Sequence, residues 1–128
     1  FKRLVRVLIM GYTNYWHQYN DFTDEEWKQI TEEYDYIKEV CGNIIKDETT
    51  DLDRNTHIIF NGIGEDAHET FFLSKDAKPF NFKKDYEGQD ISFYFCKTAM
   101  KPYDIAVRYM LTQIQRICPS ISISRDYP

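Results

Sequence analysis

Residues 95–104 hold the densest set of reactive side chains in this 128-residue sequence. They supply the Cys96 thiol, the Lys97 and Lys101 ammonium groups, the Thr98 hydroxyl, the Tyr103 phenol and the Asp104 carboxylate. Two ammonium groups beside the N–H groups of a helix start could hold an anion. Cys96 would become a nucleophile if those cations lowered its pKa. The same residues also have a structural reading. Thr98, Lys101, Pro102 and Asp104 start a helix, and Cys96 is a small packing residue. No reaction signature is matched, and no residue is assigned as catalytic.

A second cluster is Asn61, Gly62, Gly64, Glu65, Asp66, His68, Glu69 and Thr70. Its carboxylates and imidazole could ligate a metal or exchange protons. However, His68-Glu69 lacks the second histidine of the zinc-protease motif, and the glycines form neither GxGxxG nor a phosphate loop. His17 and His57 have no evident pairing with His68, so no metal set and no cofactor is expected. The polar turn of a hairpin explains most of the cluster. The two clusters together would line one pocket if both turns lay on the same sheet edge. Asn61, His68, Glu69, Cys96, Lys97, Thr98, Lys101 and Tyr103 would then face a small anion or nucleotide. With Asn61 and Lys97 at opposite ends of the sheet, that pocket would not exist.

Tyr12, Tyr15, Trp16, His17 and Tyr19 stand in a stretch over 12–21 that reads as a polar, aromatic loop. Tyr12, Tyr15, Trp16 and Tyr19 could form a partner surface, since aromatics bury much area with few rotatable bonds. They could also stack on bases or fold inward as core. Asp24, Glu25, Glu26, Glu32, Glu33, Asp35 and Glu39 give the next element an acidic face. A solvated face is the ordinary reading. A nucleic-acid mimic would need a denser field than this.

These groups depend on a small set of elements. The apolar run over 4–10 reads as an interior strand ended by Gly11, and not as a signal peptide, because no small-residue cleavage site follows. Thr23 and Glu26 form a capping box that opens a helix, with Phe22 and Trp27 at the staple positions. Trp27, Ile30, Tyr34, Ile37 and Cys41 make its apolar stripe, and Gly42 is its stop. The hydrophilic stretch over 46–56 reads as a surface connection. Strands are expected over 57–60 and 69–73, joined as a hairpin, and over 91–96 after a polar stretch. That last strand alternates, with Ile91, Phe93 and Phe95 on one face. Pro102 suits the first position of a second helix. Its stripe is Tyr103, Val107, Met110, Ile114 and Ile117, and Pro119 ends it. A strand over 121–124 closes the chain. The order β-α-β-β-β-α-β predicts an α+β two-layer sandwich: two amphipathic helices on one mixed or antiparallel sheet, in a single domain over 1–128.

Composition narrows the function classes. A net charge of -5 argues against general nucleic-acid binding, which needs clustered Lys and Arg. No apolar run reaches the roughly 18 residues of a membrane span. Cys41, Cys96 and Cys118 are odd in number and lack a CxxC, which predicts free thiols and a reducing, cytosolic setting.

Asn61-Gly62-Ile63-Gly64, His68-Glu69-Thr70-Phe71-Phe72-Leu73 and Phe95-Cys96-Lys97-Thr98-Ala99 running into Lys101-Pro102-Tyr103-Asp104 resemble a family of small uncharacterised tailed-bacteriophage proteins. The resemblance covers about 60–124, and the helix opening Phe22-Thr23-Asp24-Glu25-Glu26-Trp27 is also similar. It implies a phage-encoded protein acting in the host cytoplasm, and it carries no reaction. Met100 stands where such proteins are expected to hold a basic residue; if that residue binds an anion in them, the departure weakens anion binding at this turn. Two functions follow as expectations. One is a non-catalytic binding protein acting on a host or phage macromolecule, in host takeover or counter-defence. The other is a small-ligand protein or enzyme using the pocket between the two turns.

Overall fold

The computed structural model describes residues 12–77, 82–84, 88 and 90–126. The strand expected over 4–10 lies outside these residues. Among the described residues, two helices, α1 (Asp24–Val40) and α2 (Asp104–Ile117), combine with seven strands in two antiparallel sheets, an α+β fold.

The larger sheet contains β1 (Thr13–Gln18), β5 (Phe82–Lys84), β6 (Asp90–Lys97) and β7 (Ser122–Arg125), in the order β5-β6-β1-β7. Every neighbouring pair is antiparallel. So β6 and β7, joined by α2, run parallel on either side of β1. Likewise β1 and β5 run parallel on either side of β6. This is the connectivity of a split β-α-β, ferredoxin-like arrangement. The smaller sheet, β2 (Lys46–Asp47), β3 (His57–Asn61) and β4 (Phe71–Ser74), in that order, is inserted between α1 and β5.

β1 corrects the loop expected over 12–21. It is a central strand whose inward side chains are Asn14, Trp16 and Gln18, all buried. The two polar ones have partners inside the protein. Asn14 Nδ2 donates to Asp104 Oδ1 at 2.8 Å, and Gln18 Nε2 donates to the Ser74 carbonyl at 3.3 Å. β6 alternates as expected, but the core takes Ser92, Tyr94 and Cys96, while Phe95 on the other face is exposed. Phe93 stacks there on Tyr15, with ring centroids 6.0 Å apart. Two further strands lie in stretches read as polar connections: β2 within 46–56 and β5 within 74–90.

The capping box of α1 is present: Thr23 Oγ1 accepts from Glu26 N, and Glu26 Oε1 accepts from Thr23 N. Its stripe buries Trp27, Ile30, Tyr34 and Ile37. One aromatic chain links both sheets to this helix. Trp16 packs on Tyr94 and Phe71, Phe71 on Phe60, and Phe60 stacks on Tyr34, with centroids 4.9 to 5.6 Å apart. The hairpin of β3 and β4 is therefore fixed against the larger sheet, and this fixes where its turn lies.

Candidate functional site

The antiparallel register carries the end of β6 back to the start of β1, pairing Lys97 with Thr13. The connection from β3 to β4 meets that end. Glu69 N–H donates to the Lys97 carbonyl at 3.1 Å, and Lys97 N–H donates to Glu69 Oε1 at 3.1 Å. The Tyr103 hydroxyl donates to the Glu69 carbonyl at 2.6 Å, and the Cys96 thiol donates to the same oxygen at 3.4 Å. Lys101 Nζ reaches the Glu65 carbonyl at 3.3 Å. The two clusters therefore share one end of the fold, as a common site requires.

Asn61 closes its own connection. Its Oδ1 accepts from Gly62 N at 2.7 Å and His68 N at 3.0 Å, while Nδ2 donates to the His68 carbonyl and Thr70 Oγ1. Gly62 must be glycine here. A Cβ would lie 2.2 Å from the Asp66 carbonyl oxygen and 2.9 Å from the Tyr103 ring.

The strand-to-helix turn is a tight one. Lys101 N–H donates to the Thr98 carbonyl at 3.0 Å, and both intervening residues are left-handed, Ala99 at φ 52° and Met100 at φ 56°. Two positive φ values in succession mark a type I′ turn. The turn is held by what it delivers. Thr98 and Ala99 N–H donate to the Tyr12 carbonyl, and Thr98 Oγ1 donates to Asp104 Oδ1 at 2.6 Å. Asn14 donates to that same carboxylate oxygen. Asp104 is thus a buried acceptor joining β1, the turn and α2, beyond its expected role toward the helix dipole. Pro102, expected at the first helical position, lies in the turn that precedes the N-cap, Tyr103.

This geometry limits the chemistry. Cys96 is fully buried, and burial together with the Glu69 carboxylate pushes its thiol well above the ordinary range. No thiolate forms near neutral pH, so Cys96 is not an activated nucleophile. Burial likewise raises the Tyr103 phenol. The N–H groups that would cradle an anion at the helix start are already used: Asp104, Ile105 and Ala106 donate to the Lys101, Pro102 and Tyr103 carbonyls. Of the eight residues expected around a pocket, Asn61, Cys96, Thr98 and Tyr103 are buried and His68 and Lys97 are exposed. Glu69 and Lys101 are half-buried. Lys97 Nζ lies 5.7 Å from the Phe95 ring centroid. Among the described residues, no group of three or more His, Cys, Asp or Glu side chains could hold a metal ion.

No family model, no curated protein and no solved structure matches this chain. The reading of the site therefore rests on its own geometry.

The four aromatics expected as a partner surface divide. Tyr12 and Trp16 are buried, so they belong to the interior, because β1 is central and both side chains are enclosed. Tyr15 and Tyr19 keep partial exposure, and the Tyr15 hydroxyl donates to Asp126 Oδ1 at 2.8 Å. On the acidic helix, Asp35 pairs with Arg54 at 2.6 Å and Lys38 at 3.5 Å. Cys41, Cys96 and Cys118 are all free thiols. Sequence reasoning missed the Asn14–Asp104–Thr98 cluster. Asn14 and Asp104 are 90 residues apart, and no local pattern joins them.

Proposed function

We propose that this chain is a non-catalytic binding protein that contacts a host or phage macromolecule, foremost a protein, in the host cytoplasm. One observation carries the reading. At the junction of the two turns, the buried groups capable of chemistry are engaged within the protein, while apolar side chains on the same segments face outward. Asn61, Cys96, Thr98 and Tyr103 are buried and hydrogen-bonded. Ile63 and Met100 are each 44% exposed, and Phe95 is 38% exposed. Apolar groups set beside polar ones such as Lys97 and His68 suit the core and rim of a protein contact. The phage setting comes from the sequence resemblance alone.

The small-ligand alternative draws support from the adjacency of the turns, through the Glu69–Lys97 hydrogen bonds. One experiment separates the two. The wild-type chain and an Ile63→Asp, Met100→Asp variant are used as bait in infected-cell lysate, with mass spectrometry of proteins and small molecules. A stoichiometric protein retained by the wild type and lost by the folded variant supports the binding reading. A co-purified metabolite without any protein partner sinks it.

A further inference from the structure

A second site lies away from the two turns, between α2 and the edge strand β7. Ile105, Arg108, Tyr109 and Thr112 recur at helical spacing on α2, and together with Arg125 of β7 they line a cleft of about 270 Å³. The register explains why Arg125 faces the helix. It pairs with Asn14, whose side chain points to the helix-bearing side of the sheet.

Both arginines are half-buried. Among the described residues, neither guanidinium makes a hydrogen bond or an ion pair. The nearby acids are held by other donors. Asp104 accepts from Thr98 and Asn14, Asp126 accepts from Thr13 N–H and the Tyr15 hydroxyl, and Glu33 accepts from the Tyr109 hydroxyl. Both guanidiniums also act on the buried Tyr12 phenol, opposing burial and Asp104 in setting its ionisation, so they share one neighbourhood. Two half-buried guanidiniums without a direct ion pair among the described residues lose part of their hydration, and an oxyanion in the cleft would offset that loss.

We propose that this cleft binds a phosphoryl group carried on a small apolar body. Arg108 and Arg125 supply the donors, since a guanidinium fork matches phosphate oxygens geometrically. Thr112 is not a donor to the ligand, because its hydroxyl proton goes to the Arg108 carbonyl at 2.8 Å. Ile105, 64% exposed, and the Tyr109 ring provide the apolar wall. Arg116 lies one further turn along α2 and donates to Gln113, so it is outside the clamp.

The test uses the whole chain and two probes, phenyl phosphate and inorganic phosphate, titrated calorimetrically against wild type, Arg108→Gln, Arg125→Gln, the double Arg→Gln variant and Lys28→Gln. Lys28 lines a different cleft and serves as the control. Circular dichroism confirms that each variant is folded. Saturable binding of phenyl phosphate is expected, weakened about tenfold or more by either arginine substitution and unchanged by the control. Arg→Lys at either position is expected to restore part of the affinity, since it keeps the charge without the fork. Absence of saturable binding, or equal binding by the double Arg→Gln variant, overturns the site. Inorganic phosphate binding as tightly as phenyl phosphate overturns the apolar body and identifies the free ion as the ligand.

Discussion

The Tyr103 hydroxyl donates to the Glu69 main-chain carbonyl at 2.6 Å, across 34 residues of sequence. This bond ties the start of α2 to the turn of the inserted hairpin. Tyr103 is fully buried, so its hydroxyl has no water to fall back on, and among the described residues the Glu69 carbonyl would keep only the longer contact from Cys96. Tyr103→Phe retains the ring and removes the donor. It is expected to cost about 1–2 kcal/mol, read as a lower urea midpoint with an unchanged slope. A midpoint equal to wild type would mean that the contact is energetically idle.

Cys96 gives a chemical test of the same junction. Its buried thiol is raised by desolvation and by Glu69, whereas Cys118 is partly exposed and pairs with Ser120 at 3.3 Å. A thiol reagent at mildly alkaline pH is expected to modify Cys118 first and leave Cys96 untouched until the protein unfolds. Peptide mapping after timed labelling reads the order. Because the folded thiol pKa lies above the unfolded one, its contribution to stability is fully present below the ordinary thiol range and is lost as pH rises beyond it. Early labelling of Cys96 would reopen a role for it as a reactive thiol.

Local chemistry made the helices legible. The Thr23–Glu26 capping box and the stripe Trp27, Ile30, Tyr34 and Ile37 depend on residues a few positions apart, and all are found as read. Tyr103, Val107, Met110 and Ile114 of the second stripe are likewise buried. β1 was hidden because two of its inward residues, Asn14 and Gln18, are polar and are satisfied by distant partners. Alternation is informative when the core takes apolar groups, and here it does so only in part. In β6 the exposed Phe95 and the buried Ser92 mislead in the same way. The candidate site was legible as a set of residue types. That Asn61, Glu69, Cys96 and Tyr103 would close on one another depends on β4 meeting the end of β6, a tertiary fact without a local signal.

Asp47 is the basis of an acid-side prediction. Burial disfavours its charge, but the Tyr34 hydroxyl and the Thr49 N–H bond the carboxylate and Lys38 lies 3.7 Å away, so the balance holds its pKa below the usual range. A depressed folded pKa means that stability is present above the unfolded carboxylate range and is lost as pH falls through the folded value. Asp47→Asn is therefore expected to flatten the fall in urea midpoint on the acid side. The measurement is the difference between the wild-type and variant midpoint profiles from neutral to acid pH. Parallel profiles would show that Asp47 does not couple folding to protons.

Met100 separates fold from function at the turn. Its φ of 56° is left-handed, a conformation that costs a side chain-bearing residue about 1–2 kcal/mol and costs glycine little. The side chain is 44% exposed, so little packing is lost on its removal. Met100→Gly is expected to leave stability unchanged or raise it by about 1 kcal/mol, because relief of strain outweighs glycine's extra freedom in the unfolded chain. Thermal and urea unfolding of the variant check this directly. The same variant loses an outward apolar group of the proposed contact surface, so partner retention in the capture experiment should fall while the midpoint holds or rises. A lower midpoint would show that Met100 contributes packing that its exposure conceals. Full retention of the partner would remove Met100 from the contact surface.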